Sequence, residues 1–160
     1  MIKIDEAMKK DVITINKDDT ITEAAKKLTE NDISGAPVMD GDNIVGILSE
    51  GDIMDLLEVH SPNLNLILPS PLDLLEMPLR MKHEYDEVAN GIKKASLTIV
   101  KDIMVSPVIT IKIDKDIADA ANIMADNNIK RIPVVDDTGN LIGIITRGDI
   151  VKALVNHKAE

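Results

Sequence analysis

The chain has 160 residues, 44% of them hydrophobic, which suits one ordinary domain or two small ones sharing an interface. Its 18 basic and 28 acidic groups leave a formal charge of −10, so without a local basic stripe a nucleic-acid backbone meets net repulsion. Tyr85 is the only aromatic residue, which excludes the stacking platforms of single-strand binders; a bound purine would have to lie between aliphatic side chains. No run of about 18 apolar residues occurs, and Met1 to Lys10 lack the apolar centre of a signal peptide, so the expectation is a cytoplasmic protein with no membrane partner. The absence of cysteine removes disulfides, thiol catalysis and Cys-ligated zinc.

An internal repeat decides the architecture. Met8 to Ile15 matches Met104 to Ile111 at an offset of 96, and the same offset pairs Ala24-Ala25 with Ala120-Ala121, Asn31 with Asn127, and Ala36-Pro37-Val38 with Ile132-Pro133-Val134. The turn Asp40-Gly41-Asp42-Asn43 faces the longer Asp136-Asp137-Thr138-Gly139-Asn140, so the offset becomes 97, and Ile44 to Ile53 then pairs with Leu141 to Ile150. A turn is where a duplicated fold tolerates a change in length.

Each copy opens with a β-branched strand, predicted at Val12 to Ile15 and at Val108 to Ile111. A helix follows, started by the capping boxes Thr20-Ile21-Thr22-Glu23 and Asp116-Ile117-Ala118-Asp119. Ile21, Ala24, Ala25 and Leu28 recur at helical spacing, as do Ile117, Ala120, Ala121 and Met124, with Asn31 and Asn127 as stops. Two strands joined by a polar turn come next: Ala36 to Met39 with Ile44 to Leu48, and Ile132 to Val135 with Leu141 to Ile145. A last helix starts at Ser49 or Thr146. One β-α-β-β-α unit is too small to bury both faces of its sheet, so pairing of the two units is expected.

The repeat order, the Pro-Val of the first hairpin strand and the Gly-x-x-x-(Ser/Thr)-x-x-Asp at the end of the hairpin resemble the cystathionine-β-synthase (CBS) domain family. The resemblance covers Met1 to Leu57 and Val100 to Leu154. It implies an α/β (α+β) fold of two β-α-β-β-α repeats packed through their sheets with pseudo-two-fold symmetry. The corresponding division is a first CBS domain at 1–60, an inserted connector with a helix at 61–99 and a second CBS domain at 100–160.

Ser61 to Leu97 belong to neither copy. Pro62, Pro69 and Pro71 mark a connector, after which Ser70 can cap a helix with Pro71 at its first position and Asp73 closing a capping box. Leu74, Pro78, Met81, Tyr85, Val88, Ile92 and Ala95 alternate four and three apart, the spacing of a helical seam, although Pro78 should kink or restart the helix. Two readings stand: the helix lies against its own domains, or it mediates contact with a second copy or a partner.

Ser49-Glu50-Gly51-Asp52 and Thr146-Arg147-Gly148-Asp149 sit where a strand gives way to a helix, and the free amides and positive dipole end there suit an anion. These residues are equally ordinary helix caps. The resemblance implies that Asp52 and Asp149 accept hydrogen bonds from ribose hydroxyls, and that Ser49 and Thr146 bond a phosphate or its neighbour. Walls for an adenine would come from Val12, Ile13, Val38, Val108, Ile109, Ile132 and Val134, all of them core candidates as well. Backbone groups near Gly35-Ala36 and Arg131-Ile132, with Pro133 beside them, would read the base edge. Lys130, Arg131 and Arg147 stand where the first copy has Ser34, Gly35 and Glu50, so cations for a phosphate are expected on one side only, unless they are solvated surface charges.

Enzymatic constellations are missing: there is no Walker loop, no Gly-x-Ser-x-Gly and no His-Glu-x-x-His, and the three histidines are scattered. Asp136 to Asn140 begins like a calcium loop but lacks its later Glu and reads as a hairpin turn. The expectation is therefore a regulatory ligand-sensing module and not an enzyme. It requires no cofactor or metal, takes AMP, ADP, ATP or S-adenosylmethionine as effector, forms a homodimer, and passes its signal to an effector protein. The alternative is a structural or oligomerisation module with vestigial pockets that regulates a partner through protein contacts.

Overall fold

The computed structural model describes residues 1–60, 89–90, 92–93 and 96–158. The first repeat contains helix α1 (Ile4–Ala7), strand β1 (Ile15–Asn16), helix α2 (Ile21–Glu30), strands β2 (Gly35–Asp40) and β3 (Asn43–Ser49), and helix α3 (Glu50–His60). The second has a short 3-10 turn (Val100–Asp102), β4 (Ile111–Lys112), α4 (Ile117–Asn127), β5 (Arg131–Val135), β6 (Leu141–Thr146) and α5 (Arg147–His157). Each repeat forms a three-stranded sheet, β1-β2-β3 or β4-β5-β6, parallel in its first pair and antiparallel in its second. The duplicated β-α-β-β-α architecture expected from the sequence is the one observed. The predicted connector helix falls largely outside the described residues; of its seam, Ile92 is described, helical and exposed.

The capping boxes form as expected: the Thr20 hydroxyl accepts from Glu23 N while Glu23 accepts from Thr20 N, and Asp116 and Asp119 repeat the exchange. Asn31 and Asn127 close the helices by donating to the carbonyls of Lys27 and Ile123 at 2.8 and 2.9 Å. The chain then reverses one residue later, at Asp32 and Asn128, with φ of 50° and 51°. Asp136 Oδ1 accepts from Thr138 N, Thr138 Oγ1 and Asn140 N at 2.8 to 2.9 Å, and the Thr138 hydroxyl leads the causes that hold this carboxyl below its ordinary pKa. This Asx-type network uses the carboxylate to close a hairpin turn.

The first strand of each repeat is shorter than predicted, since Val12 to Thr14 and Val108 to Thr110 lie outside the ladder. The reason is Pro37 and Pro133. Met39 O accepts from Lys17 N on the β1 side, and strand alternation turns the Pro37 nitrogen to the same side with no hydrogen to donate. Val135 O and Pro133 repeat the arrangement against β4.

The two repeats exchange their leading segments. Ile2 and Ile4 are buried in the core of the second repeat with Ile111, Ile117, Met124, Ile132, Val134 and Ile145, while Val100 is buried in the core of the first with Ile15, Ile21, Leu28, Val38 and Leu48. Backbone bonds tie these crossings: Ile4 N to Lys115 O and Ile117 N to Ile2 O on one side, Val100 N to Asp19 O and Ile21 N to Thr98 O on the other, at 2.8 to 3.1 Å. Farther along, Lys9 exchanges two bonds with Ile144 on β6, and Val105 exchanges two with Ile47 on β3.

These bridges need glycine beneath them. A Cβ on Gly46 would stand 2.9 Å from Val105 O and 2.6 Å from Met104 Sδ, and one on Gly143 would stand 3.0 Å from Lys9 O and against Met8 Sδ. Interior strand glycines of this kind mark the close approach of another backbone. Gly46→Val and Gly143→Val should each destabilise the protein by about 1–3 kcal/mol, because the opposing carbonyls cannot swing aside. Urea unfolding checks this, and an unchanged midpoint would contradict the packing described.

Candidate functional site

The exchange leaves two cavities, one at each strand-to-helix junction. The first, about 330 Å³, is formed by Ser49 to Asp52, by the second repeat's Val105 and Pro107 to Ile109, by Asn128 to Arg131, and by Ser34 and Ile47. The second, about 350 Å³, is formed by Thr146 to Gly148, by Lys9 and Asp11 to Ile13, by Asp32 to Gly35, and by Lys130, Arg131 and Ile144. Repeat equivalence relates the two: Ser49 answers Thr146, Val108 answers Val12, and Ile129 answers Ile33. Both volumes fall at the lower end of the range for small-molecule sites.

Each helix entrance carries a reciprocal side-chain cap. Thr146 Oγ1 accepts from Asp149 N at 3.2 Å, and Asp149 Oδ2 accepts from Thr146 N at 2.9 Å and from the Thr146 hydroxyl at 2.8 Å. Ser49 and Asp52 repeat this at 2.9 to 3.4 Å. The first helical amides are also engaged, Glu50 N donating to Ser34 O and Arg147 N to Lys130 O at 2.8 and 3.1 Å. Oδ2 thus does the capping work in both aspartates and leaves Oδ1 outside the cap. Among the described residues the amides of Gly51 and Gly148, which line the cavities, take no partner.

The predicted site residues divide into three groups. Ser49, Asp52 and Val108 line the first cavity, Thr146, Arg147 and Val12 the second, and Lys130 and Arg131 line both. Asp149 lies just behind the second cavity, 6% exposed, with Oδ1 4.0 Å from Lys9 Nζ. Ala36 and Ile132 lie in the sheet interiors with Val38 and Val134, because the inward face of each sheet packs on its helices; Pro133 is buried on the opposite face of its strand, and none of the five lines a cavity. Of the predicted aliphatic walls, Val12, Ile13, Val108 and Ile109 line the cavities, joined by Ile33 and Ile129.

Sequence reasoning missed Lys9, Asp11, Asp32, Ile33, Ile47, Val105, Pro107, Asn128, Ile129 and Ile144. The repeat offset pairs Asp32 with Asn128 and Ile33 with Ile129, so the signal existed. What it could not show was that the segment before each first strand crosses to the other repeat.

The charge asymmetry also takes a different form from the one expected. Lys130 and Arg131 are not confined to one side, since they reach both cavities. What differs is the remainder: the first cavity adds the acids Glu50 and Asp52, whereas the second adds Lys9 and Arg147 as well as Asp11 and Asp32. The second cavity is therefore net positive and the first balanced.

Residues 4–59 and 100–156 match the model of the CBS domain. The chain is a tandem CBS-domain protein. A CBS domain is a regulatory unit and not a catalytic one, and among the described residues no group of three or more His, Cys, Asp or Glu side chains is placed to hold a metal. An uncharacterized protein of Methanocaldococcus jannaschii is 48% identical over 153 residues, covering 95% of this chain and 90% of that protein. Among solved structures, CBSX2 of Arabidopsis thaliana in complex with AMP has a TM-score of 0.69 at 24% identity, with 99% of each chain covered. The CBS-domain pair of protein MJ0100 in complex with 5′-methylthioadenosine and S-adenosyl-L-methionine has a TM-score of 0.65 at 24% identity, covering 95% of this chain and 98% of that one. No described helix is long and apolar enough to cross a membrane.

The helix entrances also show what the CBS-domain fold does not require. Nothing lies nearer than 3.6 Å to a Cβ added at Gly51, or 3.7 Å at Gly148, so alanine fits both backbones. Gly51→Ala and Gly148→Ala should each raise stability by about 0.4–1 kcal/mol by restricting the unfolded chain. Thermal and urea unfolding measure this directly, and a loss of stability would show that the glycines serve packing.

Proposed function

We propose that the protein is a cytoplasmic regulatory module that binds an adenosyl ligand in the cavities between its CBS repeats and passes the resulting change to a partner. The observation that carries the reading is the pair of cavities of about 330 and 350 Å³, each lined by a helix entrance whose second position is a glycine that packing does not demand. The amide of that glycine and the dipole end behind it suit a phosphate or carboxylate, the aliphatic walls suit a purine, and in the first cavity the Asp52 carboxylate oxygen left outside the cap suits a ribose diol. AMP in CBSX2 and the adenosyl compounds in MJ0100 support the same ligand class.

Charge favours a division of labour. The second cavity, with Lys9 and Arg147, suits a phosphorylated adenosine such as AMP, ADP or ATP; the first, with Glu50 and Asp52, suits a neutral or cationic adenosyl compound such as S-adenosylmethionine. A ligand at a hundredfold excess over its Kd should stabilise the protein by about 2.7 kcal/mol, roughly 5–10 °C for a chain of this size. Thermal-shift titrations with each compound test this. Arg147→Glu should diminish the AMP shift and Asp52→Ala the S-adenosylmethionine shift; the absence of a shift with every adenosyl compound would favour the alternative of vestigial pockets.

Self-association has its own support. Met54 on α3 and its repeat counterpart Val151 on α5 are 55% and 59% exposed, and Leu154 and Val155 beside Val151 are 50% and 65% exposed. Equivalent helix faces related by a pseudo-two-fold suit a second copy of the chain. Sedimentation should show a dimer that Val151→Glu with Val155→Glu dissociates, and an unaltered sedimentation coefficient would remove these faces from the interface.

A further inference from the structure

Three residues, Ser34, Lys130 and Arg131, line both cavities, and of these Arg131 has no counterpart across the pseudo-two-fold, where Gly35 stands. Its guanidinium reaches into the first repeat, donating from Nη2 to Ser34 Oγ at 2.9 Å. It also occupies the space above Gly35, where an added Cβ would overlap Nη1 and stand 2.5 Å from Cζ. Gly35 is therefore the seat of Arg131, and two related cavities share one guanidinium. Burial draws the Arg131 pKa down while Glu50 and Asp52 of the first cavity draw it up, and an arginine remains a cation throughout.

The placement has a consequence for ligands. A guanidinium makes its strongest contacts as a planar fork that engages one phosphate bidentately. A fork turned to an anion in one cavity is turned from the other.

We infer that Arg131 couples the two cavities negatively: a phosphorylated adenosine in either one engages the shared guanidinium and lowers the affinity of the other for a second phosphorylated ligand. This inference rests on the adenosyl-binding reading above and adds a regulatory rule to it. Adenosyl ligands without a phosphate make no claim on Arg131 and escape the coupling. By linkage the effect is the same whichever cavity fills first, and coupling of this kind is typically about 5- to 150-fold.

Calorimetric titration of the full chain with AMP, and in parallel with adenosine, tests the inference. In the native protein AMP should bind in two steps, and Arg131→Met should reduce the ratio of the two dissociation constants roughly 5- to 150-fold, mainly by weakening the tighter step. The adenosine ratio should be the same in both proteins. Arg131→Lys, which keeps the charge without the fork, should fall between them and serves if the methionine variant does not fold by circular dichroism. An AMP ratio unmoved by the substitutions, or two steps weakened equally, would overturn the coupling while leaving adenosyl binding intact. No binding of AMP, adenosine or S-adenosylmethionine to the native chain would overturn the adenosyl reading and this inference together.

Discussion

The structure depends on one contact made twice, the seating of each repeat's leading segment on the outer edge of the other repeat's hairpin. A three-stranded sheet has exposed edges and too little helix to finish its core. Lys9 on β6 and Val105 on β3 each supply a pair of backbone hydrogen bonds to an open edge, while Ile4 and Val100 fill the opposite cores. Gly46 and Gly143 permit the approach, since any side chain there would meet the crossing backbone. The repeats are thus folded through one another as well as packed together.

The cavities follow from this exchange. Each has the helix entrance of one repeat at one end and the segment leading into the other repeat's first strand along its side, so an isolated repeat would hold neither. Pro37 and Pro133 contribute by ending the first ladder early, which leaves Val12-Ile13 and Val108-Ile109 as cavity walls where they would otherwise be sheet. A change in the distance between the repeats would alter both cavities at once.

Much of this was legible in the chain. The repeat, the capping boxes, the hairpins and the strand-to-helix junctions are local patterns of spacing and residue type, and local physics places them. The exchange was not legible, because Met1 to Lys10 and Val100 to Val105 carry hydrophobic side chains that fit either core equally well by pattern. The same limit explains the errors in the walls. Val12, Val38 and Ile132 are alike as β-branched residues, and only the tertiary path sends the first to a cavity and the others to the interior. Arg131 was identified as a cation of the second repeat, but its reach over Gly35 depends on two segments 96 positions apart in sequence meeting at the axis.

Symmetry of the backbone makes the remaining differences informative. Glu50 and Arg147 occupy the same first position of equivalent helices, both exposed, and the helix dipole treats them oppositely. A carboxylate there is stabilising and a guanidinium destabilising, by about 0.3–1 kcal/mol in either direction. Stability therefore accounts for Glu50 and opposes Arg147, which forms no ion pair among the described residues. A cation held against the dipole at the mouth of a cavity that already contains Lys9 and Lys130 is what the proposed phosphorylated ligand would account for. The first cavity, with its acid in the favourable place, retains only the cations it shares. The duplication thus keeps one frame and distributes charge unevenly within it, with the helix dipole favouring the acid at Glu50 and opposing the cation at Arg147.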